Sequence, residues 1–261
     1  MDTLDQPVTG ELVDDVLTLT LNRPGQFNAL SEEVLAAMQQ ALDGAAADVS
    51  LRCVVLAGSG RAFCAGHDLK QMQASRDHDY YLRLFRQCSR VMQSIVDFPV
   101  PVIAKVQGIA TAAGCQLVAS CDLAVAADTA RFAVSGINVG LFCSTPAVAL
   151  SRNVAPKKAF EMLITGEFVS AEQAVEHGLI NRAVPAHELD SAVDALTTAI
   201  CSKSPVAVRT GKAMFHRQRG MALDAAYEFA AETMARNMMA EDVFEGIDAF
   251  INKRHPEWRG R

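Results

Sequence analysis

Apolar positions along the chain follow two periods. Near the start, "ELVDDVLTLTLN" (11–22) alternates around Asp14-Asp15. A period of two around a turn-forming pair predicts a β-hairpin with one buried face. Continuous apolar runs at "RCVVLAG" (52–58), "PVIAKVQG" (101–108) and "CDLAVAA" (121–127) predict buried strands. "RFAV" (131–134) and "LINRAV" (179–184) read as two more. Elsewhere the period lengthens to that of a helix. Ser31 followed by Glu32 and Glu33 opens one, with Ser31 as N-cap and two acids in the first turn, where the helix dipole favours them. It runs over 31–47, and further helical spacing covers 68–74, 79–97 and the short "AAGCQLVAS" (112–120). From 156 onward the chain reads as almost wholly helical: 156–166, 170–178, 187–203, 205–216 and one long pattern over 221–253. Gly166 and Gly178 stand where a helix stops. Strands alternating with helices up to about residue 155 predict an α/β fold of parallel strands with right-handed crossovers. The similarity of the three apolar runs suggests stacked turns of similar size.

Composition narrows this picture. Of 261 residues, 50% are hydrophobic and 21% charged, a globular balance. A formal net charge of −6 argues against a nucleic-acid partner. No apolar run reaches the ~18 residues that a membrane span needs. "MDTLDQPVTG" has neither the basic start and apolar core of a secretory signal nor the arginines of a transit peptide, so a cytoplasmic location is expected. The seven cysteines form no C-x-x-C pair, and their odd number fits reduced thiols rather than a disulfide framework. No Cys/His spacing matches a metal site. Gly58-Ser59-Gly60 lacks the third glycine of a dinucleotide fingerprint.

Two stretches stand apart. "RAFCAGHDL" (61–69) and "QGIATAAGCQL" (107–117) each place small residues directly after an apolar run. Small residues at a helix start leave backbone N–H groups uncovered. The N–H groups of His67 and Ala113 could then point at one oxygen, as an oxyanion hole requires. The same residues also suit close packing of strand against helix.

With these stretches quoted, the chain resembles the crotonase family of enoyl-CoA hydratases and isomerases. "FCAGHDLKQM" is similar to its AGxDL segment, and "KVQGIATAAGCQLVASCDLAVAA" to its glycine-rich segment ending in CD. "LNRPGQFNALSEEV", "SAEQAVEHGLINRAVP" and "EGIDAFINKR" resemble further family segments in the right order, over about 10 to 255. The resemblance implies a spiral of ββα units over 1–200. It also implies a C-terminal helical trimerisation region over 201–261, in trimers or paired trimers. It implies an acyl-CoA or enoyl-CoA substrate of fatty acid metabolism, coenzyme A as part of that substrate, no permanently bound cofactor, and lyase or isomerase chemistry through a thioester enolate. Carried over by motif, the oxyanion-hole donors are the backbone N–H groups of His67 and Ala113. Gln26, Ala65 and Lys253 contact coenzyme A, Lys253 reaching a phosphate from a neighbouring subunit.

The chain departs from the hydratase pattern at both acid–base positions. Gln116 and Gly136 stand where hydratases carry glutamates. An amide holds a water but accepts no proton at neutral pH, and glycine offers no side chain. A placed acid–base group is worth about 10² to 10⁴-fold in rate. Hydration is therefore expected to be weak, and a non-catalytic acyl-CoA-binding protein is the alternative. Restoring glutamate at both positions is expected to raise hydration. Asp68 and Asp122 read as loop-ordering groups that accept nearby N–H bonds. Cys143 reads as core or pocket lining, without the base partner that a nucleophile needs.

Overall fold

The computed structural model describes residues 6–261. Residues 1–5, which belong to the opening stretch weighed as a targeting signal and to the start of the 1–200 core, lie outside the described residues. The hairpin is present and begins earlier than its alternation suggested. It comprises β1 (Val8–Val13) and β2 (Val16–Leu21), antiparallel, with Val13 opposite Val16. Asp14 and Asp15 take φ of 48° and 61°, the left-handed pair that a two-residue hairpin turn needs. Next comes α1 (Glu32–Ala46), whose N-cap Ser31 accepts the Val34 N–H at 3.2 Å.

Three β-β-α turns follow. They are β3 (Cys53–Gly58) and β4 (Ala62–Cys64) with α2 (Leu69–Ala74) and α3 (His78–Val96); β5 (Val102–Val106) and β6 (Ile109–Thr111) with α4 (Ala113–Ser120); and β7 (Leu123–Ala127) and β8 (Arg131–Ala133) with α5 (Ser144–Asn153). The rest comprises α6 (Pro156–Thr165), β9 (Val169–Ser170), α7 (Ala171–Glu176), β10 (Arg182–Val184), α8 (Leu189–Cys201), α9 (Pro205–Gln218), α10 (Leu223–Met238) and α11 (Glu241–Ile251). Each turn sends its first strand to one sheet and its second to another. The larger sheet has the order β1-β2-β3-β5-β7-β10 and the smaller β4-β6-β8-β9. All neighbours are parallel except β1–β2 and β8–β9. The three similar apolar runs thus become adjacent strands of one spiral.

Their unbroken hydrophobicity follows from burial on both faces. Val54, Leu56, Val102 and Ala104 join the main core with Leu35, Met38 and Leu42 of α1 and Val91 and Ile95 of α3. Val55 and Val125 face the other way, onto Leu189 and Val193 of α8.

Three local readings need correction. The quoted small-residue stretches contain the short strands β4 and β6, too brief to show a period. The helix α5 falls within residues 135–155, where the spacing predicts no element. The pattern over 221–253 is two helices, because Ala240 is extended (φ −70°, ψ 142°) between α10 and α11. No proline or glycine marks that break in the sequence.

Helix α9 is tied to the sheet by a buried ion pair. Lys212, only 8% exposed, donates from Nζ to the carbonyls of Ile95 and Val100, both at 3.0 Å, and to Asp122 Oδ2 at 2.7 Å. Asp122 also accepts the Val102 N–H at 2.7 Å and the His216 Nε2 proton at 2.6 Å. The carboxylate does accept a nearby N–H, that of the first residue of β5, and is also the counter-ion of a distant helix. Burial pulls the Lys212 pKa below its ordinary value, and Asp122 opposes that pull. Asp122→Ala is expected to lower unfolding free energy by about 3–5 kcal/mol, because it strands the Lys212 charge. Urea denaturation measures this; a loss under about 1 kcal/mol would contradict the assignment.

Candidate active site

The site is built where the loop after β2, the turn after β4 and the turn after β6 meet. Asn28 organises the first. Its backbone takes φ 54°, which asparagine tolerates better than most residues. Its buried side chain accepts the Arg23 N–H at 2.9 Å and donates to the carbonyls of Ser59 at 2.9 Å and Ala62 at 2.8 Å. The loop is then zipped onto the second turn: Ala65 N–H donates to Phe27 O at 3.0 Å, and Leu30 N–H to Gly66 O at 2.8 Å. Gln26 lies exposed in a single 3-10 turn, Pro24–Gln26, of this same loop. Gln26 and Ala65 therefore share one neighbourhood. Lys253 does not join them: it is exposed just past α11, with φ 52°, and no described contact links it to these loops.

The second and third turns touch backbone to backbone. Gly66 has φ 88°, and a Cβ there would lie 2.9 Å from Ala112 Cβ and 3.2 Å from Ala113 N. A Cβ at Gly114 would lie 2.1 Å from Cys64 O. Only glycine permits this approach. The N–H groups of His67 and Ala113, on either side of the contact, have no acceptor among the described residues. Ala113 is the first residue of α4, so its N–H is one of the uncommitted donors at a helix start. Ala113 itself lies in the helix, and the unusual backbone falls on the residue before it: Ala112 has φ 50° and ψ −118°.

The His67 imidazole turns inward. Its Nδ1 is 3.3 Å from Leu30 O and its ring meets Phe85 edge-on at 5.5 Å. A carbonyl only accepts, so Nδ1 carries the proton and Nε2 is a buried lone pair without a partner. Burial lowers the pKa of this histidine below its ordinary value. Asp68 caps α2, accepting the N–H groups of Lys70 at 2.9 Å and Gln71 at 3.2 Å, as its loop-ordering reading expects.

The two positions without glutamates differ in kind. Gln116 lies one turn along α4, 4% exposed, and its Oε1 is buried without a hydrogen-bond partner. Gly136 lies in the 3-10 turn Ser135–Val139, which the Thr111 Oγ1–Ser135 Oγ bond of 2.7 Å holds beside β6. A Cβ at Gly136 would meet Cys143 Sγ at 2.6 Å and Leu141 O at 2.7 Å. The expected double restoration of glutamate therefore does not fit this loop, because Cys143 and a carbonyl already fill the room. Burial pushes the Cys143 thiol up, away from a thiolate, and drives Cys64 and Cys115 to about 12.

A cavity of about 1410 Å³ lies between α3, α4, α5 and α9 and the end of α8. Gln116 lines it, whereas His67 and Ala113 do not. No group of three or more His, Cys, Asp or Glu able to hold a metal ion occurs among the described residues, and none of their helices is long and apolar enough to cross a membrane.

Sequence reasoning overlooked three features. Asn28 was legible only as one letter in a loop. The Asp122–Lys212–His216 cluster joins residues ninety positions apart. The unusual backbone of Ala112 leaves no mark in the sequence. Ala112→Gly is expected to raise unfolding free energy by about 1 kcal/mol, since a non-glycine backbone there stores about 1–3 kcal/mol. Thermal and chemical denaturation check this, and an unchanged or lower stability would contradict it.

With this geometry in hand, comparison with known proteins is direct. The pattern of the enoyl-CoA hydratase/isomerase family matches residues 11–261. A crystal structure of an enoyl-CoA hydratase from Mycobacterium smegmatis superposes with a TM-score of 0.95 and 57% identity, covering 97% of this chain and 98% of that one. The human enoyl-CoA hydratase domain-containing protein 3 superposes at 0.91 with 43% identity, covering 97% and 100%. Its Xenopus laevis counterpart, whose name adds "mitochondrial", is 46% identical over 240 residues, 92% of this chain and 82% of that protein. The two-sheet spiral, the glycine-mediated contact beneath it and the similarity along nearly the whole length agree: this chain belongs to the enoyl-CoA hydratase/isomerase family.

Proposed function

We propose that the protein binds acyl-CoA thioesters and stabilises their enolate between the N–H groups of His67 and Ala113. The observation that carries this reading is the backbone contact at Gly66 and Ala112–Gly114, with an uncommitted donor on each side. Donors fixed before the reaction stabilise developing charge without reorganising, and removing one such donor elsewhere costs about 2.7–4 kcal/mol. Coenzyme A lies along Gln26 and Ala65, with Lys253 supplied by a neighbouring copy.

With Gln116 and Gly136 in the glutamate positions, addition of water is slow. The reading favours proton movement at the α-carbon, or isomerase chemistry, over hydration. The second reading, a binder without turnover, rests on the same two residues. A trimer or paired trimer is supported by apolar side chains left exposed on the last two helices, among them Leu223, Tyr227, Met234 and Phe250. The seven free cysteines suit a reducing, cytoplasmic compartment.

The test is α-proton exchange of a saturated acyl-CoA in heavy water, followed by mass spectrometry, beside crotonyl-CoA hydration. Exchange well above the uncatalysed rate with feeble hydration is expected. Binding without exchange favours the second reading, and no binding removes both. Gln116→Glu alone keeps shape and volume and is expected to raise crotonyl-CoA hydration by about 10²-fold. An unchanged rate would mean that position 116 does not face the reacting carbons.

A further inference from the structure

The cavity runs along α4. Gln116 is the link. It lies one helical turn from Ala113, it lines the cavity, and its buried Oε1 has no partner. Most of the lining surface is apolar, with Met92 of α3, Ala119 of α4 and Val148 of α5 contributing to it beside the polar Ser89, Gln93 and Thr145. Further on, at the C-terminal ends of α4 and α5, the lining changes sign. Arg152, Lys203, Arg217 and Arg219 reach the cavity, against the carboxylates of Asp97 and Asp122. Asp122 is already neutralised by Lys212. The other four cations have no carboxylate partner among the described residues. Arg152 donates to Val148 O at 2.9 Å, Arg219 donates to Arg152 O, and Arg217 lies over the Phe229 ring at 4.8 Å. An apolar wall leading to unpaired guanidinium groups matches a chain that is apolar along its length and anionic at its end. From Gln116 to the end of α4 is roughly 6 Å along the axis at 1.5 Å per residue.

We propose that this cavity receives the acyl chain of the thioester, and that Arg152 and Arg219 recognise a second carboxylate at its far end. The preferred substrates are then CoA esters of dicarboxylic acids. The inference rests on the function proposed above, since it needs the thioester carbonyl at Ala113.

The experiment compares octanoyl-CoA with suberoyl-CoA, its counterpart ending in a carboxylate, by calorimetric titration of the full chain. Suberoyl-CoA is expected to bind about tenfold more tightly, as one charge-assisted contact gives. Arg152→Gln with Arg219→Gln is expected to erase that preference and leave octanoyl-CoA binding within about twofold. The paired lysine variant is expected to restore part of it, and circular dichroism establishes that each variant is folded. Equal binding of both esters by the wild type overturns the inference and leaves the proposed function standing. So does an equal weakening of both esters in the glutamine variant, which would place the arginines on coenzyme A itself. If neither ester binds, the proposed function fails and takes this inference with it.

Discussion

Two stretches of backbone in this protein approach until no side chain fits between them. Gly114 meets Cys64 O, and Gly66 meets Ala112 and Ala113 N, at separations a Cβ would violate. That constraint sets the rest. It requires small residues after β4 and β6, and it fixes the start of α4 against the turn carrying His67. It also leaves donors at the surface of the contact rather than inside a ladder. Around it, the spiral sends alternate strands into two sheets, so the ends of β4 and β6 are held by the same framework that packs the core.

The chemistry proposed for this contact is narrower than the family name suggests. Donors on the backbone survive substitution, because alanine and glycine carry the same N–H. Side chains do not. Gln116 has the shape of a glutamate without its proton affinity, whereas Gly136 leaves no room for one, with Cys143 Sγ where a Cβ would stand. The first change is reversible by a single residue; the second is embedded in the course of the loop.

Much of this was readable from the chain. The hairpin at Asp14-Asp15, the Ser31 cap and the three apolar runs declared themselves by period and turn chemistry, because each depends on neighbours in sequence. What escaped notice depends on neighbours in space. β4 and β6 are three residues each, shorter than any period can show. The glycine at 114 is one letter among several small ones until Cys64 O is placed beside it. Asp122 reads as a loop acid because nothing in "CDLAVAA" points to a lysine on α9. The strain at Ala112 is invisible for the same reason: alanine there looks as ordinary as its neighbour.

The tether at Asp122 has a consequence for modularity. The residue sits at the junction of α4 and β7, yet two of its partners, Lys212 and His216, come from the C-terminal arm. Severing the chain ahead of α9 would leave a half-sealed carboxylate next to the Val102 amide and would uncover the ends of α3 and β5 that Lys212 now closes. The arm is therefore woven into the body that it extends, and evolution cannot trade it as a detachable part without first rewriting that junction.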